Sequence, residues 1–290
     1  MNQLVQALAD GVTQGAVYAI IALGFVIVYK STGVLNFAHG GLLMLGAYLT
    51  LTFIEHSLDF YLAVLLAMLL TGGIGWLLQA GLLRKLVEED VFSVVLVTLG
   101  LSLVIRAVVG VIYGPTERPL DAPFDGPEIH LFADVYVSRS GLAAVAVSAA
   151  VFLGAWLFFA RSRQGLAMRA IAEDQAVARL MGISASRVFV LAWVIAGGLA
   201  ALAGTLAAEE SYVSNNLGAI GLLALPAAVI GGLDSVAGAL LGGLLVGIVE
   251  QAAGTYLGGQ TATLASFVLL VLVLAAKPEG LLGQREIVRV

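Results

Sequence analysis

The sequence predicts an all-helical bundle that crosses a membrane about eight or nine times, with some of its segments short or broken. Three observations lead to this fold class. Hydrophobic residues make up 60% of the 290 residues and charged residues 11%, whereas a soluble domain has about 25% charged residues. Apolar runs close to the roughly 20 residues needed for one crossing recur along the whole chain. Basic residues are concentrated in short segments between these runs.

Each apolar run ends at polar or glycine-rich residues, which sets the bounds of nine candidate membrane segments. The first run has no basic residue before it, and this favours a retained span over a cleaved signal peptide. The second and seventh runs are short and rich in Gly or Pro, so either is a candidate for a broken or re-entrant helix. In order, the runs are residues 11–30, 37–54, 60–83, 91–113, 139–160, 188–208, 217–232, 235–254 and 261–276.

The distribution of basic residues orients the bundle. If the amino terminus is outside and the chain crosses nine times, the inner segments hold 11 basic residues, while the outer segments hold only Arg118 and Arg139. Cytoplasmic segments of membrane proteins carry such an excess of Lys and Arg. The distribution predicts a cytoplasmic carboxyl terminus. It also favours residues 217–232 as a crossing, because losing one crossing there would place the tail on the opposite side.

Several chemistries are excluded by what the sequence lacks. Without cysteine there is no thiol catalysis, disulfide or Cys-based metal site. His39, His56 and His130 are scattered and lie outside HExxH and GxSxG motifs, so we expect neither catalytic residues nor a metal site. The chain also has no GxxxxGK[ST] phosphate loop with which to hydrolyse ATP itself. An intramembrane hydrolase and a scaffold without transport are the alternative classes.

Residues 161–187 form a charged segment between long apolar runs. Five arginines and an acidic pair lie within these 27 residues, so the segment cannot enter lipid and is expected in the cytoplasm. Residues 169–181 have the pattern of one helix lying along a surface, with Ala172, Ala176 and Leu180 on one stripe. We expect this helix to dock a cytoplasmic partner.

Residues 114–138 form an acidic, proline-rich loop that the predicted orientation places outside. Four of the six prolines are here, and they break any regular helix. The loop is either a docking surface for an external partner or a solvated connector. Its acidic residues are Glu117, Asp121, Asp125, Glu128 and Asp134.

Polar residues near the second and fourth runs are candidates for a translocation path. The stretch NFAHGG contains Asn36, Phe37, His39 and Gly40, and Asn36 is expected to cap the following helix. The alternative to a gate is a capped helix start with its histidine hydrogen-bonded. Thr98 and Ser102 are four residues apart and share one helical face, where they line a small polar cavity or bond their own helix.

Further polar positions lie in the second half of the chain. A polar cluster at residues 209–216 includes Asn215 and precedes a run broken by Pro226, an arrangement that points to a translocation path or to an ordinary kinked helix. Arg106 and Glu250 fall within apolar runs and are a possible ion pair that fixes helix register. Small residues spaced four apart favour close helix packing, mostly within the chain; the pairs are Gly238 with Gly242, Gly243 with Gly247, and Gly197 with Ala201.

Four stretches together resemble the membrane-spanning permease of the branched-chain amino acid ABC importers. They are GAVYAIIALGFVIVYKSTGVLNFAHGGLLMLGAY (residues 15–48), GLAMRAIAEDQAVARLMGI (165–183), AVIGGLDSVAGALLGGLLVGIVE (228–250) and KPEGLLG (277–283). The second resembles the family's EAA loop, which seats a coupling helix in an ATPase. Of the wider EAA pattern, only Glu173, Ala178 and Gly182 match loosely. The resemblance covers nearly the whole chain.

The resemblance implies a single permease domain over residues 1–290 in the bacterial inner membrane. Its implied partners are a homologous second permease, two cytoplasmic ATP-binding subunits and an external solute-binding protein. No nucleic acid is expected to bind, and no cofactor is bound directly, because the partners use the ATP. The expected cargo is a branched-chain amino acid; urea, a short amide or another small organic solute is the alternative. Whether the pore is a heteromer or a homomer stays open.

The predicted site residues fall into two groups. For coupling to the ATPase they are Arg169, Ala172, Glu173, Asp174, Ala178, Leu180, Gly182 and Ile183. For the translocation path they are Asn36, Phe37, His39, Gly40, Thr98, Ser102, Asn215 and Pro226.

Overall fold

The computed structural model describes residues 2–86, 89–124, 126–130 and 135–283, and this part of the chain is almost entirely helical. A 3-10 turn follows α3 at Leu83–Leu86, and two short strands, β1 (Ile129–His130) and β2 (Tyr136–Val137), pair antiparallel. The helices are α1 (Asn2–Thr32), α2 (His39–Glu55), α3 (Phe60–Gly81), α4 (Val91–Tyr113), α5 (Arg139–Arg161), α6 (Arg163–Glu173), α7 (Gln175–Leu180), α8 (Ala185–Glu210), α9 (Leu217–Leu223), α10 (Leu225–Gly231), α11 (Val236–Leu257) and α12 (Gly259–Ala276).

Seven of the described helices are long and apolar enough to cross a membrane: α1, α3, α4, α5, α8, α11 and α12. The all-helical membrane bundle is therefore confirmed. The two runs predicted to be short or broken differ from these seven. The second forms α2, with 17 residues, and the seventh divides into the half-helices α9 and α10. The first span begins earlier than predicted, because α1 extends back to Asn2.

The described residues divide into two compact units. The first unit contains the described residues of 1–26, 126–152 and 223–290, and the second those of 27–125 and 153–222. Both units are discontinuous in sequence, since α1 and α5 each begin in the first unit and end in the second.

Small residues hold the first unit together. A methyl group added to Gly243 would collide with Ala19 of α1, and one added to Gly247 would collide with Gly15. On another face of α11, Gly242 lies against Ala227 of α10. The glycine pairs of α11 therefore pack within the chain, as the sequence predicts, because only residues without a side chain allow helix backbones to approach so closely.

The second unit is built around α8, which is largely buried. Gly204 packs on the backbone of Leu43 in α2, and Gly197 packs on Thr71 in α3. Between α2 and α8, the hydroxyl groups of Thr50 and Thr205 are hydrogen-bonded at 2.9 Å. Helix α8 thus lies between α2 and α3 and fixes the position of α2, on which the candidate site depends.

Candidate translocation and coupling sites

The start of α2 lies against α4, well inside the length of that helix. The backbone N–H of Phe37 donates a hydrogen bond to Oγ1 of Thr98 at 3.3 Å, and Gly41 faces Ser102. Thr98 is the eighth residue of α4, about 10 Å from its first residue at ~1.5 Å per residue. Thr98 and Ser102 therefore share one face, as predicted. Helix α2 thus begins partway along a spanning helix and, with 17 residues, is shorter than any of the seven long helices.

Helix α9 packs directly on this starting point. A methyl group on Gly40 would collide with the carbonyl oxygen of Gly218, and one on Gly221 would lie 2.6 Å from Cα of Gly40. Further along α2, the hydroxyl of Tyr48 donates to Oδ1 of Asn215 at 3.3 Å. The order of these contacts shows that α9 runs opposite to α2. The glycines exclude side chains from the crossing and bring polar backbone atoms together.

Asn215 is the centre of a polar network at the far end of this contact. Its backbone carbonyl accepts a hydrogen bond from Arg106 at 3.0 Å, and its Nδ2 donates to the carbonyl of Gly114 at 3.4 Å. The ring of Tyr113 lies 4.6 Å from that of Tyr48, centroid to centroid. Thr98, Ser102, Arg106 and Tyr113 thus form a polar strip along α4.

The tyrosines of this network were missed by the sequence analysis. Tyr48 and Thr52 are four residues apart on α2, and the hydroxyl groups of Thr52 and Tyr113 are 2.7 Å apart. The same spacing of polar residues identified Thr98 and Ser102 on α4. Applied to α2, it would have pointed to Tyr48 and Thr52.

Two detailed expectations were wrong. Asn36 does not cap α2. The N-cap residue is Ala38, whose side chain makes no capping hydrogen bond. The Oδ1 of Asn36 accepts a hydrogen bond from the backbone N–H of Ala38 itself. Asn36 therefore closes the turn before the helix. Glu250 does not pair with Arg106, since its carboxylate accepts hydrogen bonds from Tyr18 and Ser266, while Arg106 bonds a backbone carbonyl.

Most of the predicted path residues converge in the second unit. The structure places six of the eight at the contacts of α2 with α4 and α9: Asn36, Phe37, Gly40, Thr98, Ser102 and Asn215. His39 is completely buried at the first turn of α2. Pro226 belongs to the first unit, where it is the second residue of α10, in the first turn, in which the missing N–H of proline costs no helical hydrogen bond.

The predicted coupling segment is two helices and not one. The side chain of Asp174 accepts hydrogen bonds from the N–H groups of Ala176 and Val177 at 2.8 and 2.9 Å, so it ends α6 and caps α7. Because of this break, the expected stripe of Ala172, Ala176 and Leu180 does not lie on one continuous helix. All three residues are exposed.

Gly182 ends α7 in a left-handed conformation, with φ of +83°. Its N–H bonds the carbonyl of Arg179, and the N–H of Ile183 bonds that of Ala178, at 3.0 Å each. This pair of bonds is the Schellman motif, in which glycine has the lowest conformational cost. Glycine at position 182 is thus explained by the backbone of the helix end, and its role in coupling stays a prediction.

The two helices of the coupling segment, α6 and α7, bury a few side chains and expose most of the others. Met168, Ile171 and Ala178 are buried, whereas Glu173 and Arg169 are exposed. At the tip, the apolar side chains of Leu180 and Met181 are 87% and 79% exposed. These two exposed apolar side chains make the tip a candidate surface for a partner.

The loop after α4 is tied to the second unit. Arg118 forms an ion pair with Glu55 at 3.1 Å, and its backbone pairs with that of Val213. The candidate acidic residues Asp125 and Asp134 lie outside the described residues. The described residues contain no group of His, Cys, Asp and Glu arranged to hold a metal ion.

Comparison with known proteins identifies the family of this helical, glycine-packed chain. The family model described as the permease component of the branched-chain amino acid transport system matches residues 7–276. The chain belongs to this permease family. The high-affinity branched-chain amino acid transport system permease protein LivH of Escherichia coli (strain K12) is 33% identical over 299 residues, which cover 98% of this chain and 97% of LivH.

Two further members of the permease family are similar over most of this chain. The corresponding permease protein BraD of Pseudomonas aeruginosa is 32% identical over 98% of this chain and 97% of its own length. The permease protein LivM of Salmonella typhimurium is 26% identical over 94% of this chain and 69% of its own length. The chain is therefore a multi-pass membrane protein and a permease component.

Proposed function

We propose that this chain is one of two permease subunits of an ATP-driven importer that carries branched-chain, hydrophobic amino acids. The observation that carries the proposal is the similarity to LivH along nearly the whole of both chains. The resemblance to LivM supports a homologous second permease as the partner that completes the pore. Two ATP-binding subunits on the cytoplasmic side and an external solute-binding protein complete the machine, and the assembly lies in the bacterial inner membrane.

The segment α6–α7 is proposed as the coupling element. Its buried residues attach it to the second unit, while Leu180 and Met181 project from its tip and are available to a socket on an ATPase. Closure of the ATPases would move α7, and the spans attached to it would follow. A partner shifts such an equilibrium only through its different affinities for the two states, so the tip must bind more tightly in one of them.

The polar strip of α4, together with α2 and α9, is proposed as this subunit's part of the translocation path. An amino acid in transit needs hydrogen-bonding groups in place of water, and the polar strip supplies them together with Asn215, which precedes α9. Half-helices ending within the membrane expose backbone groups for the same purpose. The glycines where α2 crosses α9 leave no bulky side chain at that point.

Uptake of radiolabelled leucine tests the proposed function. The chain is produced together with its second permease, ATPases and binding protein in cells that lack their own leucine uptake. We expect leucine accumulation that disappears when the ATPases carry an inactivating substitution. An excess of unlabelled urea should not compete. Accumulation of urea in place of leucine would establish the alternative cargo.

The coupling role predicts a specific defect for Leu180→Glu. Placing a charge in an apolar socket costs several kcal/mol, so transport should fall at least tenfold. Leu180 is exposed, so the change should leave the amount of permease in the membrane unaltered. The matched control is Leu180→Met, which keeps an apolar side chain of similar volume and should transport normally. Full transport by Leu180→Glu in an intact assembly would rule out α7 as the coupling element.

A further inference from the structure

A cavity of about 80 Å³ lies in the second unit between the start of α2 and the start of α7. One water molecule needs roughly 10–15 Å³ of such volume, so the cavity has room for on the order of six waters or for a small organic solute. Its apolar wall includes Leu35, Phe189 and Trp193, of which the two aromatic residues are buried.

The polar residues of the cavity include a hydrogen-bond donor without an acceptor. Asn36 lines the cavity and is 1% exposed, and its Nδ2 has no hydrogen-bond partner among the described residues. Leaving a buried donor unpaired costs about 1–3 kcal/mol, so an acceptor supplied by a bound solute would be favourable. Buried Gln79 and Thr98 line the same cavity and provide further polar groups.

The charge at the mouth of the cavity indicates which group a bound solute would place there. Among the described residues that line the cavity, Glu89 is the one charged residue, and it is exposed, as expected at a mouth. A cationic group is therefore favoured near Glu89, an acceptor such as a carboxylate near Asn36, and an apolar side chain against Trp193. An apolar α-amino acid has these three parts on one small scaffold.

The cavity also adjoins the coupling segment. Gln175, which lines it, is the first residue of α7. Asn36 and Thr98, which also line the cavity, belong to the contact at which α2 begins. A solute held here would touch both the proposed path and the helix that the ATPases are proposed to move.

We propose that this cavity is a binding site for an apolar α-amino acid on the side of the membrane where α7 lies. The carboxylate accepts a hydrogen bond from Nδ2 of Asn36, the ammonium faces Glu89, and the side chain packs against Trp193. The site holds the solute as it leaves the path and lets α7 sense it through Gln175. This inference rests on the proposed function, because the amino acid is the cargo proposed above.

Binding of radiolabelled leucine to the purified assembly in lipid nanodiscs, without binding protein or ATP, tests the site. We expect saturable binding that weakens at least tenfold in Asn36→Asp. This change keeps the oxygen that accepts the bond from Ala38 but replaces the donor with a negatively charged acceptor. The matched control is Gln260→Glu, the same change from amide to acid at an exposed residue that does not line the cavity, which should bind as the unaltered protein does.

A second comparison tests the ammonium end. The unaltered assembly should bind 4-methylpentanoate, which is leucine without its amino group, more weakly than leucine, and Glu89→Gln should remove most of this difference. An assembly that transports leucine but shows no saturable binding here, or equal binding in Asn36→Asp, overturns the site alone. An assembly that transports no leucine contradicts the proposed function, and the choice of ligand with it.

Discussion

At the scale of single residues, Glu250 shows how a carboxylate is tolerated in an apolar helix. Glu250 is 8% exposed, and its two carboxylate oxygens accept hydrogen bonds from Tyr18 at 2.7 Å and from Ser266 at 2.8 Å. An acidic side chain in a membrane is costly unless its oxygens are bonded in this way. Through these bonds, Glu250 connects α11 with α1 and α12 inside the first unit.

Replacing Glu250 with Leu should therefore destabilise the first unit. The change removes the acceptor for the two hydroxyl groups, and we expect the free energy of unfolding to fall by about 1–3 kcal/mol. Thermal unfolding of the detergent-solubilised permease measures the loss. Glu250→Gln keeps one acceptor oxygen and should lose less. Equal stability of Glu250→Leu and the unaltered protein would show that these bonds contribute nothing net.

Residue patterns alone did not identify the partners of Glu250. Both Glu250 and Arg106 stand out as charges within apolar runs, and pairing them satisfies both. Spacing along a chain does not report which helices are neighbours, however. Tyr18 lies 232 residues from Glu250, and no sequence pattern indicates that its hydroxyl donates a hydrogen bond to the carboxylate of Glu250.

At the scale of elements, packing of α8 against α2 depends on a glycine. Gly204→Ala would push a methyl group into the carbonyl oxygen of Leu43, so we expect a loss of about 1–3 kcal/mol from overpacking. The matched control is Gly100→Ala in α4, where an added methyl group meets nothing within 4 Å. The control should be neutral or slightly stabilising, because alanine favours a helix more than glycine does. Equal melting temperatures for the two variants would contradict this packing.

The break between α6 and α7 depends on Asp174. Asp174→Ala removes a cap worth about 0.5–2 kcal/mol to a helix of only six residues, so α7 should fray. Hydrogen exchange of the amides at residues 178–181 should become faster, and transport should fall with it. Asp174→Asn retains an acceptor oxygen and should behave nearly as the unaltered protein. Unchanged exchange in Asp174→Ala would show that α7 is held by other contacts.

The caps of these helices were only partly visible in the sequence. Asp90 caps α4, and hydrogen bonds from Ser93 hold the pKa of its carboxyl below the ordinary value. Asp174 follows Glu173 within a continuous helical pattern, so no local pattern indicated that a helix ends between them. In the structure, Met168 and Ile171 of α6 and Ala178 of α7 are all buried, on the two sides of the break at Asp174.

At the scale of the whole molecule, the predicted orientation places α7 in the cytoplasm and the loop after α4 outside. Because the chain has no cysteine, single cysteines report orientation without background. In permease produced without its ATPases, which would otherwise cover this position, Met181→Cys should react with a membrane-impermeant thiol reagent only in inverted vesicles, and Glu117→Cys only in intact cells. Both positions are exposed. Reaction of Met181→Cys in intact cells would reverse the proposed orientation.

Composition and periodicity were sufficient to predict that lipid surrounds most of this chain and that its apolar segments are helices. These properties follow from local physics, since a run of apolar residues must satisfy its backbone hydrogen bonds within its own helix when no water is present. The short second run and the broken seventh run were visible for the same reason, because Gly and Pro act on the backbone where they stand.

Only the tertiary structure decided which polar groups meet. The contact of Gly40 with Gly218, the network around Asn215 and the cavity between Asn36 and Gln175 each join segments far apart in sequence. Helix neighbours in a membrane are chosen by backbone fit at small residues, and this chain has 35 glycines, which allow many pairings. The pairing that forms depends on the packing of all the helices together, and no local pattern contains that information.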